Sequence, residues 1–423
     1  MTASETPVLP PRSMAIAAFS TIVEWYDFTL YLYFATVLSR VFFGGGGGSL
    51  LLTLGGFALA YLLRPLGAVF FGHIGDSRGR RTMMLASVAL MTAAMLGTAL
   101  LPTHATIGPA AGWLLFLLRC VMGFSVGGEY TGVVAYLLEG ASSNRRGLIT
   151  SSASAASEVG ALLAVGISAL TVSLLSPADL NAWGWRIPFF VGAALAASVW
   201  IARSKMHESP EFERQCAERT VTDVPFRHAL KNHGAGIARS FAISALGSIT
   251  YYVGITYAPA FLTSVGSLTE RASLWLSTIA AVAVILVTPL VGLLSDRIGR
   301  RPVLIGLCIA NAALPIALFS LMASGSHAEA LAGAVILAML AGAVSAVGAV
   351  ATAEQFPGEG RITGLALGAT MATAIFGGVT PYVAQLLVER SGWPTAPGIM
   401  IAAVGLCVLP VIWLMRETAP RSG

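Results

Sequence analysis

The chain has 423 residues, of which 56% are hydrophobic and 11% charged, with a formal net charge of +5. Soluble domains carry about 25% charged residues, so this chain cannot cover a water-facing surface of its own size. A soluble enzyme, a nucleic-acid-binding protein and a disordered protein are excluded, and the mean hydropathy of +0.78 identifies an integral membrane protein.

From the N-terminus, the polar stretch Met1 to Ser13 has no separate apolar core ahead of the first long apolar run, so no cleavable signal is expected. Apolar runs long enough to cross about 30 Å of hydrocarbon as helices then follow one another. They predict twelve spans, at 14–40, 50–73, 82–101, 110–138, 147–175, 186–203, 236–264, 271–294, 302–323, 328–354, 361–389 and 394–415. Membrane β-strands alternate over about ten residues; these runs are longer and uniform. The longest polar stretch, 204–235, is read as a cytoplasmic linker between an N-terminal six-helix bundle, 1–203, and a C-terminal one, 236–423. The five glycines Gly44 to Gly48 read as a flexible outer loop. Cys120, Cys216, Cys308 and Cys407 are scattered and form no CxxC, so neither a disulfide framework nor a metal site is expected.

Orientation follows from the Lys and Arg count by loop. With a cytoplasmic N-terminus, eighteen basic residues fall on the inner side and four, Arg40, Arg186, Arg271 and Arg390, on the outer side. This predicts a multi-pass protein of a bacterial-type inner membrane with both termini cytoplasmic. It also accounts for the basic charge through contact with the lipid bilayer, without a nucleic-acid partner.

The two halves repeat. Gly72-His-Ile-Gly-Asp76-Ser-Arg78-Gly79-Arg80-Arg81 follows span two, and Gly292-Leu-Leu-Ser-Asp296-Arg297-Ile-Gly299-Arg300-Arg301 follows span eight, 220 residues later. Glu139 through Arg145 is echoed by Glu354 through Arg361. Parallel six-span repeats are a transporter architecture with the site between the halves.

The paired GxxxD(R)xGRR loops and the six-plus-six arrangement resemble the major facilitator superfamily. Within it, Val23-Glu24-Trp25-Tyr26-Asp27-Phe28, Arg64-Pro65-Leu66-Gly67, Gly123 through Tyr130, Trp183 through Pro188, Glu208-Ser-Pro-Glu-Phe212 and Phe376-Gly377-Gly378 resemble the metabolite–proton symporter family. Ala372 through Gly378 is most similar to its citrate and tricarboxylate branch. The resemblance implies an all-α integral membrane fold and proton-coupled symport of a small organic acid, most simply a di- or tricarboxylate such as citrate.

A charge at membrane depth costs roughly 2.5–3.5 kcal/mol and marks a pathway. The predicted spans place Glu24, Asp27, Arg64, Arg119, Glu129 and Glu158 there, all in the first half. The second half can therefore offer only hydroxyls, aromatics and backbone. Glu24 and Asp27, at i and i+3, share a helix face with Tyr31, and two close carboxylates suit proton carriage; the alternative is a structural pair satisfied by an arginine of span two or four. Glu24, Asp27 and Glu129 are the proton-coupling candidates. Arg119, near mid-membrane, is the expected anchor for a carboxylate, because guanidinium binds it in a fork; the alternative is a permanent salt bridge to Asp27 or Glu24, and the two can hold in turn. Arg64-Pro65 is read as a cap and bend of span two, and Glu129, beside Gly127-Gly128, equally as a helix-packing bond. Glu158 shares a face with Ser154 and Ser151 toward a cavity. Tyr251, Tyr252 and Tyr257-Ala-Pro259 of span seven and Thr370 and Thr373 of span eleven complete the expected substrate contacts. Asp76, Arg80, Arg81, Asp296, Arg297, Arg300 and Arg301 are expected to form cytoplasmic latches, with the aspartates pairing to arginines or to a helix N-terminus across the interface.

The main alternative is import of a zwitterionic osmolyte of the proline or betaine type, supported by four intramembrane carboxylates against two arginines. A drug/proton antiporter predicts a wide apolar cavity without a buried arginine anchor. No catalytic cluster sits at membrane depth, and no GxxxxGK[ST] loop occurs. The chain is therefore expected to be no enzyme, to use no cofactor or ATP, and to act as a monomer driven by the proton gradient.

Overall fold

A computed structural model of the chain describes residues 10–45, 49–127, 129–218, 231–258, 261, 262, 265, 268, 270–324, 326–357 and 361–419. Gly46–Gly48, Gly128, Pro259, the middle of the predicted linker and both chain ends lie outside the described residues. These residues are helical with connecting turns, and no strand occurs among them.

Helix falls on all twelve predicted runs. Span one is Pro11–Tyr33 continued by Ala35–Phe43, and span two is Ser49–Leu62 continued by Arg64–Arg78. Span three is Arg80–Leu100, and span four is Ala110–Val126 followed by Glu129–Gly140. Arg146–Leu174 and Arg186–Arg203 are spans five and six. Span seven, Gly234–Tyr251, runs on into a π-helical turn, Tyr252–Thr256. Glu270–Ile298, Arg300–Ala323 and His327–Ala353 are spans eight to ten. Span eleven runs Arg361–Leu365, a π-helical turn Ala366–Thr370, then Met371–Phe376 and Thr380–Ser391, and span twelve is Ala396–Trp413. Seven of the described helices suffice by length and composition alone to cross a membrane. The other spans are interrupted by breaks or by undescribed residues. Among the described residues the linker carries the helix Pro210–Glu218, whose Phe212 is buried.

The break in span two has a local cause. Pro65 has no N–H to donate, so the helix stops at Leu62 and restarts at Arg64, with proline in its first turn. Spans two and four then cross in backbone contact. A Cβ on Gly67 would lie 1.8 Å from the Phe124 carbonyl oxygen, and one on Gly127 2.1 Å from that of Arg64. Small residues let membrane helices approach this closely, and the crossing sets the position of Arg64.

The first half packs around Tyr26, Leu115, Trp185 and Phe189. The second packs around Phe261, Phe319 and Leu337, with a further cluster at Leu304, Cys308 and Val347. One cluster joins the halves, where Phe71, Met83 and Leu137 meet Phe356, Ile362 and Leu365. It lies at the end bearing the repeated Asp and Arg loops, called here the basic end. Large apolar side chains such as Leu174 (79% exposed) and Trp113 (73%) face outward, as a lipid-facing surface requires.

Candidate functional site

Between the halves lies a cavity of about 160 Å³. That is below the roughly 300–1,000 Å³ of pockets for drug-sized ligands, so it suits a small metabolite. Span one lends Glu24 and Trp25, span two Tyr61 and Arg64, span four Tyr130, and span five Ser154, Ser157 and Glu158. Across from them stand Ser244, Ser248, Tyr251 and Tyr252 of span seven, Ser345 and Thr352 of span ten, and Thr370 and Thr373 of span eleven. The second half thus contributes hydroxyls, rings and backbone, while every charge comes from the first. The π-helical turns Tyr252–Thr256 and Ala366–Thr370 both reach the cavity wall, and such turns recur at functional sites.

Among the described residues the cavity wall carries one ion pair, Arg64–Glu24, and one acid without a salt bridge, Glu158. Arg64 Nη2 donates to Glu24 Oε1 at 2.5 Å, and its Nη1 donates to the Tyr61 hydroxyl at 3.0 Å. The guanidinium lies 4.9 Å from the Phe28 ring centre and 5.0 Å from that of Tyr61, within cation–π range. Glu158 accepts from the Tyr251 hydroxyl of the opposite half at 2.6 Å, and among the described residues it makes no salt bridge. Glu24 Oε2, Arg64 Nε and the Trp25 indole N–H have no protein hydrogen-bond partner among the described residues.

Hydroxyl contacts also cross between the halves. Ser345 donates to Ser154 at 3.1 Å, and within the first half Ser154 also pairs with Tyr130 at 2.8 Å. The Tyr61 and Tyr252 hydroxyls meet directly. Their rings rest on span eleven, where a Cβ on Gly377 would come within 2.8 Å of the Tyr252 ring and one on Gly378 within 3.1 Å of Tyr61.

Of the expected substrate contacts, Glu24, Ser154, Glu158, Tyr251, Tyr252, Thr370 and Thr373 line this cavity, whereas Arg119, Tyr31 and Tyr257 do not. Arg119 is held by Asp27 in a fork, at 2.7 and 3.3 Å, with its guanidinium 5.1 Å from the Tyr31 ring. Tyr31 donates to the Thr53 carbonyl, and Tyr257 is buried against Phe261. Of the two readings of Arg119, the structure shows the ion pair: its fork is filled by Asp27, and Arg64 is the arginine on the wall. Glu129 also lies off the cavity, bonded to Arg203 and accepting from Ser87 Oγ at 2.5 Å. Arg64, Trp25, Tyr61, Tyr130, Ser248 and Ser345 were not expected as contacts. Only the Arg64-Pro65, Glu24-Trp25 and Gly123–Tyr130 motifs pointed at any of them.

At the basic end each aspartate caps a helix of the other half. Asp76 accepts from the backbone N–H of Thr363 at 2.9 Å and of Ile362 at 3.4 Å, in the first turn of span eleven. Asp296 accepts from those of Gly147 at 2.8 Å and Leu148 at 2.9 Å, in the first turn of span five. These are charge-assisted bonds at the positive end of a helix. Arg80 ties Asp76 (3.0 Å) to Glu139 (3.1 Å), and Arg300 ties Asp296 (2.7 Å) to Glu354 (3.3 Å). Arg361 reaches across to Glu139 at 2.8 Å. The remaining arginines of the expected latch depart from it. Arg81 and Arg301 bond the carbonyls of Ser204 and Trp413 in their own halves, and Arg297 is exposed with no ion pair among the described residues.

A second pair of carboxylates caps within each half. Glu208 accepts from the N–H groups of Arg80 (2.9 Å) and Arg81 (3.1 Å), and Glu417 from those of Arg300 (2.9 Å) and Arg301 (3.0 Å). Gly79 (φ 101°) and Gly299 (φ 104°) turn the chain there. A Cβ at either would meet the capping carboxylate at 2.3 or 2.5 Å, so glycine is required.

The family model described as "Sugar (and other) transporter" matches residues 13–223, and the one described as "Major Facilitator Superfamily" matches 241–423. The chain is 32% identical over 426 residues to a proline/betaine transporter of Salmonella typhimurium, covering 97% of this chain and 84% of the relative. It is 31% identical over 434 residues to a citrate-proton symporter of Klebsiella pneumoniae (99% and 97% covered). It is 33% identical over 383 residues to an alpha-ketoglutarate permease of Escherichia coli (90% and 88%). Among solved structures, the proton:xylose symporter XylE bound to 6-bromo-6-deoxy-D-glucose superposes with a TM-score of 0.78 at 18% identity, covering 96% of each chain.

Proposed function

Because the chain belongs to the major facilitator superfamily, as a metabolite–proton symporter, we propose that it imports a small zwitterion carrying one carboxylate and one cationic nitrogen. The observation that carries this reading is the charge balance of the cavity wall: one arginine, Arg64, faces two carboxylates, Glu24 and Glu158. A ligand carboxylate competes with Glu24 for the Arg64 fork. With Glu158 carrying the coupled proton, Arg64 and Glu24 leave the wall without net charge, and the ligand's cationic end is held among the rings of Trp25, Tyr251 and Tyr252, the first two of which meet edge to face at 5.3 Å. A polycarboxylate would bring its charges against both acids at low dielectric, where repulsion is weakly screened.

The coupled proton resides on Glu158 in this reading. Its neighbour is a hydroxyl rather than a guanidinium, so protonation leaves no buried cation stranded. Asp27 and Glu129 are proposed to stay paired with Arg119 and Arg203, and both pairs hold helices together. The Asp76 and Asp296 caps keep the cavity closed at the basic end, which the Lys and Arg count assigns to the cytoplasm. Release inward requires both caps to open, by rocking of the halves. Transport is proposed to run on the proton gradient alone, without a nucleotide or cofactor, in a monomer of an inner membrane whose termini are both cytoplasmic.

A second reading, import of a di- or tricarboxylate, is favoured by the hydroxyls of Ser244, Ser248, Thr370 and Thr373, which can donate to carboxylates. It requires Glu24 and Glu158 both to be protonated while substrate is bound. The relatives named for citrate and alpha-ketoglutarate support it, as those named for proline and betaine support the first. Uptake of proline, betaine, citrate and 2-oxoglutarate into proteoliposomes under an imposed pH gradient separates the two. Saturable uptake of the dicarboxylate or citrate, with no competition from betaine, would overturn the zwitterion reading.

A further inference from the structure

A second recess, of about 370 Å³, opens at the basic end between the start of span one and the end of span six. It is lined by the cationic or protonatable side chains of Arg12, Lys205 and His207, the apolar Pro10, Ile16, Ile201 and Ala202, and the hydroxyls of Ser13 and Ser198. All three basic side chains are exposed, and none makes an ion pair among the described residues. They are firmly presented. Met206, between Lys205 and His207, is buried, which turns its two neighbours outward. The turn is closed by Lys205 N–H to Ala202 and Met206 N–H to Arg203, at 3.2 and 3.0 Å. The Tyr136 hydroxyl holds the His207 carbonyl at 2.8 Å.

We propose that this recess binds the phosphate headgroup of an anionic phospholipid. Span one begins at Pro11 and span six ends at Arg203, so the recess lies at the ends of two spans, at headgroup depth. One turn deeper the wall continues onto lipid-facing surface, where Ile201 is 54% and Trp200 44% exposed. Cationic and apolar side chains lining one recess match an amphiphile with an anionic head. A soluble anion would use the cationic side chains and leave the apolar ones idle. Basic pockets between spans are a recognised chemistry for anionic headgroups, and each Lys or Arg near such a surface is worth about a fivefold gain in affinity.

The test uses the purified full-length protein, delipidated in detergent and titrated with phosphatidylglycerol or phosphatidylcholine, with bound lipid counted by native mass spectrometry. Phosphatidylglycerol is expected to bind more tightly. The triple variant Arg12→Gln, Lys205→Gln, His207→Gln should lose about tenfold or more of that affinity and leave phosphatidylcholine unchanged. Arg78→Gln, an exposed charge elsewhere on the same end, should change neither. A folded triple variant that keeps wild-type affinity overturns the proposal. So does displacement of phosphatidylglycerol by an equal concentration of glycerol 3-phosphate or inorganic phosphate, which would mark a site for a soluble anion. Should the triple variant fail to fold, Arg12→Gln alone is expected to lose about fivefold, and the charge-keeping pair Arg12→Lys, Lys205→Arg almost nothing. A charge-keeping pair that loses as much as Arg12→Gln would sink the idea equally.

Discussion

Arg64 of span two donates to Glu24 of span one across 2.5 Å, and the two stand together on the wall of the central cavity. Neither can leave the pair without a replacement charge, because breaking a buried ion pair costs about 3–5 kcal/mol. A carboxylate-bearing substrate is such a replacement for Glu24, which makes the pair an exchange point.

Arg64→Lys keeps the charge but loses the planar fork and most of the ring stacking. It is expected to fold and to bind substrate at least tenfold more weakly by isothermal titration. Arg64→Gln should also lose stability, because Glu24 is left buried without its cation. Wild-type affinity in Arg64→Lys would remove this residue as anchor.

Glu158→Gln is expected to abolish accumulation driven by a pH gradient while exchange between equal pools continues, since glutamine cannot release a proton. Asp27→Asn should keep gradient-driven accumulation and lower the melting temperature instead. A double-mutant cycle of Asp27→Asn with Arg119→Gln should give a coupling energy of about 1–3 kcal/mol. The opposite pattern, with coupling lost in Asp27→Asn alone, would move the proton to the Asp27–Arg119 pair.

The two interface caps act in parallel, so each single loss should be partly hidden by the other. Asp76→Asn or Asp296→Asn removes charge from two backbone bonds worth about 1.5–3 kcal/mol each when charged. A cysteine placed at Ser345 on the cavity wall, in an otherwise cysteine-free chain, reports opening by its labelling rate from the basic end. Single variants should speed labelling several-fold and the double variant far more. Equal rates in wild type and double variant would mean that the caps do not close this end.

The intra-half caps should respond oppositely to acid. For Glu417, burial raises the carboxyl, but the N–H groups of Ala419, Arg300, Arg301 and Thr418 outweigh it and hold it below the usual range. The stabilisation it gives is present above the ordinary carboxyl range and is lost as pH falls through its lowered value. For Glu208, burial dominates the N–H groups of Ser209, Arg81 and Arg80 and leaves the carboxyl raised. The folded chain then gains relative stability as pH falls into that raised range. Melting curves between pH 4 and 7 should therefore lose part of their acid sensitivity in Glu417→Gln and gain sensitivity in Glu208→Gln.

Much of this was readable from the chain itself. Apolar run length and the doubled Asp and Arg loops are direct consequences of a membrane and of a repeat, and the helices fall on the predicted runs. Glu24, Glu158, Tyr251 and Thr373 could be placed at the cavity because intramembrane polar groups need a reason. The choice between Arg64 and Arg119 could not be made this way. Which arginine faces inward depends on where span two breaks and how it crosses span four, and that crossing is set by Gly67, Gly123 and Gly127 meeting carbonyls of the partner helix. Residue spacing records helix faces, but not which face a tertiary crossing turns inward. A helix N-terminus across the interface was an expected partner of the latch aspartates, but which helix start receives each was hidden for a related reason: backbone N–H groups leave no residue-type signature.

The tight crossing of spans two and four has a mechanical meaning. With no slack between the two backbones, the lower part of span two, Arg64–Arg78, behaves as a stiff strut. Arg64 is at one end and Asp76 lies twelve residues along it, about 18 Å at the helical rise. A displacement of Arg64 by an arriving carboxylate cannot be absorbed locally by helix sliding. On the proposed reading it is levered to Asp76, so that occupancy of the cavity and strain on its distant bolt become one and the same motion.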